Sequence, residues 1–93
     1  MIRSFADRDT AALWQHQRVP RLDARILRVA LRKLVQVHAA TSLQDLRVPP
    51  GNRLELLRGA RQGQHSIRVN DQWRICFRWK DGGAEDVELV DYH

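Results

Sequence analysis

His65-Ser66-Ile67-Arg68-Val69-Asn70-Asp71-Gln72-Trp73-Arg74-Ile75-Cys76-Phe77-Arg78-Trp79 reads as two β-strands folded about a turn. Side chains alternate across a strand, so Ile67 and Val69 fall on one face, Ser66 and Arg68 on the other. In the second strand Trp73, Ile75, Phe77 and Trp79 share a face, with Arg74, Cys76 and Arg78 opposite. Asn70-Asp71 between them suits a tight hairpin turn. Such a ribbon has one apolar face that must be covered and one arginine-rich face that need not be.

Working outward, Asp81-Gly82-Gly83 predicts the next turn and residues 84–92 a last strand, through Val87, Leu89 and Val90. Upstream, Arg53-Leu54-Glu55-Leu56 alternates as a strand would, and Gly59 and Gly63 bracket a loop. Pro49-Pro50-Gly51 interrupts regular structure. The strongest helical signal runs from about Arg21 to Ala40. Leu22, Ile26, Ala30 and Leu34 recur every four residues with Leu27, Leu31 and Val35 alongside, while Arg21, Arg25, Arg28, Arg32 and Lys33 lie mostly off the stripe. Asp7 or Asp9 can cap a shorter helix through Ala11-Ala12-Leu13-Trp14, and Ile2 to Phe5 alternates as a short strand. The expectation is one α+β domain over residues 1–93: an N-terminal short strand, two helices, then an antiparallel β-meander with the helices packed on one face.

With 93 residues, 43% of them hydrophobic, the chain can bury one modest core and no more. Its formal charge is +5, carried almost wholly by arginine, Lys33 and Lys80 being the only lysines. Guanidinium groups grip phosphates with paired hydrogen bonds, so this composition points to nucleic acid or to an acidic protein partner. Ordinary solubilising charge is the plainer reading. A single cysteine, Cys76, excludes an internal disulfide and fits a small side chain without a redox role. No stretch has the length of a membrane span, so a cytoplasmic setting and no membrane partner are expected.

Phosphate-binding loops, CxxC pairs and short-spaced histidines are absent from the sequence, so neither a metal nor another cofactor is expected. What remains is arginine on and between strands: Arg53, Arg58, Arg61, Arg68, Arg74 and Arg78. Neighbouring strands would merge these into one cationic surface, able to hold a phosphodiester and to stabilise a pentacovalent phosphorane. A solvated sheet face is the competing reading. Asp91-Tyr92-His93 offers a carboxylate, a phenol and an imidazole for acid–base work on RNA, though a histidine so placed is also commonly a surface residue. Glu55 is either an exposed strand residue or a general base. His16 and His38 lie near helix ends, where a positive imidazole complements the dipole. His65 reads as structural, and Trp14, Trp73 and Trp79 as core.

Three runs taken together resemble HigB-type toxins of the RelE superfamily: Pro50 to Gly59, Gly63 to Phe77, and Val90-Asp91-Tyr92-His93, with Met1 to Phe5 also fitting. The resemblance implies a RelE-like fold and a metal-independent endoribonuclease that enters the ribosomal A site and cuts mRNA. There the RNA 2′-hydroxyl attacks the adjacent phosphorus, leaving a 2′,3′-cyclic phosphate. On matching positions it implies acid–base roles for Asp91 and His93, substrate positioning by Tyr92, and phosphorane stabilisation by Arg74 and Arg58. Arg68 would hold phosphate, beside Arg53 and Arg78 as further phosphate contacts. Some relatives carry histidine where this chain has Glu55, so either Glu55 acts as general base or His93 carries more of the work. A helix-turn-helix antitoxin, and operator DNA bound through the toxin–antitoxin complex, are implied as well. Two alternatives remain: a ParE-like inhibitor of DNA gyrase, and a non-catalytic binder of nucleic acid or ribosomes.

Overall fold

The structure, a computed structural model, describes residues 1–92. Its elements follow the order α1 (Arg8–Trp14), α2 (Ala24–Ala39), β1 (Glu55–Leu56), β2 (His65–Arg68), β3 (Trp73–Lys80) and β4 (Gly83–Asp91). Single 3₁₀ turns lie at Leu43–Arg47, Pro50–Asn52 and Gly59–Arg61. The strands form one antiparallel sheet in chain order, β1-β2-β3-β4. Both helices contact β4, and α2 also contacts β3, so they cover one face of the sheet as expected.

Turn chemistry sets the register. The Asn70 side-chain oxygen accepts from the backbone N–H groups of Gln72 and Trp73, both at 2.8 Å, which tightens the β2–β3 connection. At the next hairpin Asp81 (φ 51°) and Gly82 (φ 76°) both adopt left-handed conformations, the requirement of a type I′ turn. Arg3 braces this hairpin by donating to the carbonyls of Lys80 (2.6 Å) and Asp81 (2.7 Å). Gly83 makes room for it, since a Cβ there would stand 2.7 Å from the Arg3 Cζ.

The N-terminal segment runs parallel to β4, tied by two single bridges, Ile2–Ala84 and Phe5–Val87, rather than by a continuous ladder. A bulge in β4 accounts for the break: Asp86 is left-handed (φ 53°) and donates its N–H to the Ser4 hydroxyl instead. Beyond Ala6, α1 takes over, and the buried Thr10 hydroxyl accepts the Leu89 N–H at 2.9 Å.

α2 begins three residues later than the periodicity predicts, because the Asp23 carboxylate caps it by accepting from the Arg25 N–H at 2.7 Å. Its buried line is Ala30, Lys33, Leu34 and Val37, the i, i+3, i+4, i+7 spacing of a helix face. Lys33 therefore occupies a core position, at 9% exposure, while Val35 points out at 51%. This reverses the expected placement of both. The predicted strand over residues 53–56 shortens to Glu55–Leu56, because Arg53 (φ 46°, ψ 55°) ends the Pro50–Asn52 turn in a left-handed conformation. Leu34, Leu46, Ile67, Ile75, Phe77 and Val87 form the centre of the core, each side chain stabilising the fold by about 1.5–3 kcal/mol. The tryptophans pack partly buried against it.

Candidate active site

The uncovered sheet face is organised around Arg74. Register places Ser66 opposite Cys76 and Arg68 opposite Arg74, so β2 and β3 present a serine, a cysteine and two arginines side by side. The Arg74 side chain is only 11% exposed. Its Nε donates to the buried Ser66 Oγ at 2.7 Å, and Nη2 donates to the Arg53 carbonyl at 2.8 Å and, more weakly, to the Ser66 carbonyl at 3.4 Å. That left-handed Arg53 turns its carbonyl onto the guanidinium and so joins the site through its backbone. The Glu55 carboxylate lies 4.0 Å from Nη2, and the Tyr92 ring lies 5.9 Å from Cζ. Nη1 makes no hydrogen bond among the described residues.

The segment after β4 reaches this cluster by two further bonds. The Tyr92 N–H donates to the Gln72 carbonyl at 2.6 Å, and the Gln72 amide donates to the Asp91 carboxylate at 3.0 Å. Register pairs Asp91 with Trp73, the residue before Arg74. Glu55, Arg74, Tyr92 and the Arg53 carbonyl thus converge, with Arg68 beside them in register, whereas Asp91, paired with Trp73, falls on the opposite face of the sheet and bonds the Gln72 amide. The remaining candidate, His93, lies outside the described residues.

Two predicted phosphate contacts fall elsewhere. Arg78 shares the face of Arg74 but sits four residues along β3, about 13 Å away. It faces Asp86 at 3.7 Å and the glycine of the neighbouring loop, a Cβ at Gly63 standing 2.9 Å from its Nη1. Arg58 lines a shallow depression of about 530 Å³ with Leu56, Leu57, Gly59, Gln62 and Gly63. Between Arg74 and Arg78, Arg61 bonds Glu88, the residue in register with Cys76, at 3.2 Å.

Much of the cationic face is paired with the chain's own carboxylates: Arg61 with Glu88, Arg68 with Asp71, Arg74 with Glu55 and Arg78 with Asp86. Such partly exposed pairs contribute about 0–1 kcal/mol each, so a phosphate can displace the carboxylates. Arg53 and Arg58 have no carboxylate partner among the described residues. Beneath these charges the Cys76 thiol is fully buried, and burial pushes its pKa up, which keeps it in the unreactive thiol form.

The other histidines serve the fold. His38 accepts the Ile2 N–H on Nδ1 at 3.1 Å and lies 5.1 Å from the Trp14 ring. His38 lies in the last turn of α2, as expected, and this hydrogen bond ties it to the N-terminal segment. His65 stacks on Phe77, and burial holds its pKa below the usual 6.5. Sequence reading overlooked Ser66, Gln72, Asn52 and Lys33. Ser66 had a signal, since parity places it on the arginine face, whereas the other three depend on long-range packing. Among the described residues no group of His, Cys, Asp or Glu is arranged to hold a metal ion, and no helix is long and apolar enough to cross a membrane.

Comparison with known proteins adds four findings. Residues 3–93 match the family described as RelE-like toxin of type II toxin-antitoxin system HigB. The chain is 42% identical to Toxin HigB-1 of Vibrio cholerae over 96% of its length and 95% of that protein's. It is 30% identical to Endoribonuclease HigB of Proteus vulgaris over the whole of both. A similar backbone occurs in the YoeB–YefM complex from Staphylococcus aureus, with a TM-score of 0.63 at 12% identity, covering 100% of this chain and 98% of that one.

Proposed function

This chain belongs to the RelE-like HigB toxins of type II toxin–antitoxin systems, and on that premise we propose that it is an endoribonuclease cutting mRNA in the ribosomal A site. The observation that carries the reading is the clamped Arg74. A guanidinium held by Ser66 and Arg53 through Nε and Nη2, with Nη1 making no hydrogen bond among the described residues, is organised before substrate arrives. Charge stabilisation of this kind needs no reorganisation when the phosphorane forms.

In the proposed reaction the RNA 2′-hydroxyl gives its proton to the Glu55 carboxylate and attacks the adjacent phosphorus. The phosphorane that forms is held by Arg74, with Arg68 on a neighbouring phosphate. The bond to the 5′-oxygen then breaks, and that oxygen takes a proton from the Asp91–His93 pair. The products are a 2′,3′-cyclic phosphate and a 5′-hydroxyl. Tyr92, braced by Gln72 and lying against Arg74, positions the substrate. A shallow face with few acid–base groups benefits from the ribosome's holding of the codon, because fixed geometry replaces an entropic cost. Arg53, Arg58 and Arg78 are assigned to flanking phosphates. The partner is a cognate helix-turn-helix antitoxin, the complex with it binds operator DNA, and the setting is the cytoplasm.

Primer extension on programmed ribosomes tests this, with wild type set against a chain ending at Asp91. Cuts within the A-site codon that vanish in the folded truncation support the assignment. A wild-type preparation that arrests growth without cutting mRNA sinks it and returns the gyrase-inhibitor reading.

A further inference from the structure

A buried polar chain links α2 to the turn that carries Arg53. Asn52 is fully buried, and its side-chain oxygen accepts from the Lys33 Nζ at 2.6 Å. Its amide donates to the Gln36 side chain (3.0 Å) and to the carbonyls of Leu46 (3.2 Å) and Val48 (3.4 Å). One side chain thus ties α2 to the turns before β1. Arg53 follows immediately in its left-handed conformation, and its carbonyl receives Arg74; Glu55 stands two residues further on.

Lysine in a helix core is costly, since desolvation disfavours its charge, and Arg32 and Arg68 nearby add repulsion that lowers its pKa further. A methionine would fill the same position without that cost. What the lysine supplies, and methionine cannot, is a donor that fixes the orientation of the Asn52 amide. We infer that Lys33 and Asn52 are positioning residues: they hold the Pro50–Arg53 turn so that the Arg53 carbonyl and the Glu55 carboxylate meet Arg74 in the geometry used for phosphodiester cleavage. The inference rests on the catalytic role proposed for Arg74.

Three variants test it: Lys33→Met, which keeps shape and loses the donor; Lys33→Gln, which keeps a neutral donor; and Arg74→Ala. Single-turnover mRNA cleavage on programmed ribosomes would be measured with the ¹⁵N resonance of the Arg74 Nε–H group. Lys33→Met is expected to remain folded, lower the maximal cleavage rate on the order of 10- to 100-fold at unchanged ribosome affinity, and shift or broaden the Arg74 Nε signal. Lys33→Gln is expected to recover part of both. Combining Lys33→Met with Arg74→Ala should add little to Arg74→Ala alone, because both act through one guanidinium. A folded Lys33→Met with wild-type cleavage and an unmoved Nε signal overturns the inference while leaving Arg74 in place. Wild-type cleavage by Arg74→Ala overturns the catalytic reading instead, whatever Lys33 does.

Discussion

Replacing Arg74 by lysine keeps the charge and removes the fork. Arg74 donates to Ser66 Oγ at 2.7 Å and to the Arg53 carbonyl at 2.8 Å, while Nη1 makes no hydrogen bond among the described residues. A lysine has one nitrogen and cannot serve both anchors and a phosphate. Hydrogen bonds to a charged group contribute about 1.5–3 kcal/mol each, so losing one of the two anchors costs about 2 kcal/mol. For a domain of this size that lowers Tm by about 8–16 °C, at roughly 4–8 °C per kcal/mol. The catalytic loss is larger in effect. Removing one preorganised donor from a transition-state oxyanion lowers kcat by about 10²–10³-fold, and the retained charge places Arg74→Lys near the lower end. Primer extension at a temperature where the variant is folded by circular dichroism measures it. Cleavage at the wild-type rate by folded Arg74→Lys would refute the argument, since a point charge would then suffice.

Thr10→Val removes the hydroxyl that accepts the Leu89 N–H and should destabilise the fold by about 1–3 kcal/mol in urea titration, with the cleavage pattern preserved. His65, whose pKa is depressed by burial, favours its neutral form in the folded state, so its contribution is complete above pH 6.5 and is lost as pH falls below that value. Thermal melts of His65→Phe across that range should therefore depend less on pH than those of wild type. Gly63→Ala places a Cβ at φ 89° and 2.9 Å from the Arg78 guanidinium, so it should cost about 1 kcal/mol or more and displace Arg78, read as a lower Tm.

Where the sequence carried periodicity or turn chemistry, it was a sound guide. The β2–β3 ribbon, the Asp81-Gly82 hairpin and α2 are all present, because alternation, I′-turn residues and a four-residue repeat are local properties. The site was legible by parity, which put Ser66, Arg68, Arg74 and Arg78 on the uncovered face. Parity does not report distance along a strand, so Arg78 was grouped with Arg74 although it serves the Gly63 loop. Lys33 misled for a different reason: charge suggested solvent, whereas its spacing from Ala30, Leu34 and Val37 placed it inside, and only Asn52, 19 residues on, explains why that is tolerated. Arg53 was read as strand because alternation cannot register a left-handed backbone angle.

The parallel pairing of Ile2 and Phe5 with β4 has a consequence for the order in which the chain is made. Ser4 meets Asp86 and Thr10 meets Leu89 across separations of 82 and 79 residues, so during translation the segment holding Ser4 and Thr10 is made long before its partners in β4. At roughly 5–20 residues per second, that interval lasts several seconds. Tyr92, one residue beyond β4, meets Arg74 only once β4 itself has been made. A partly made chain therefore lacks both the β3–β4 ribbon and the contact of Tyr92 with Arg74 until both strands have emerged.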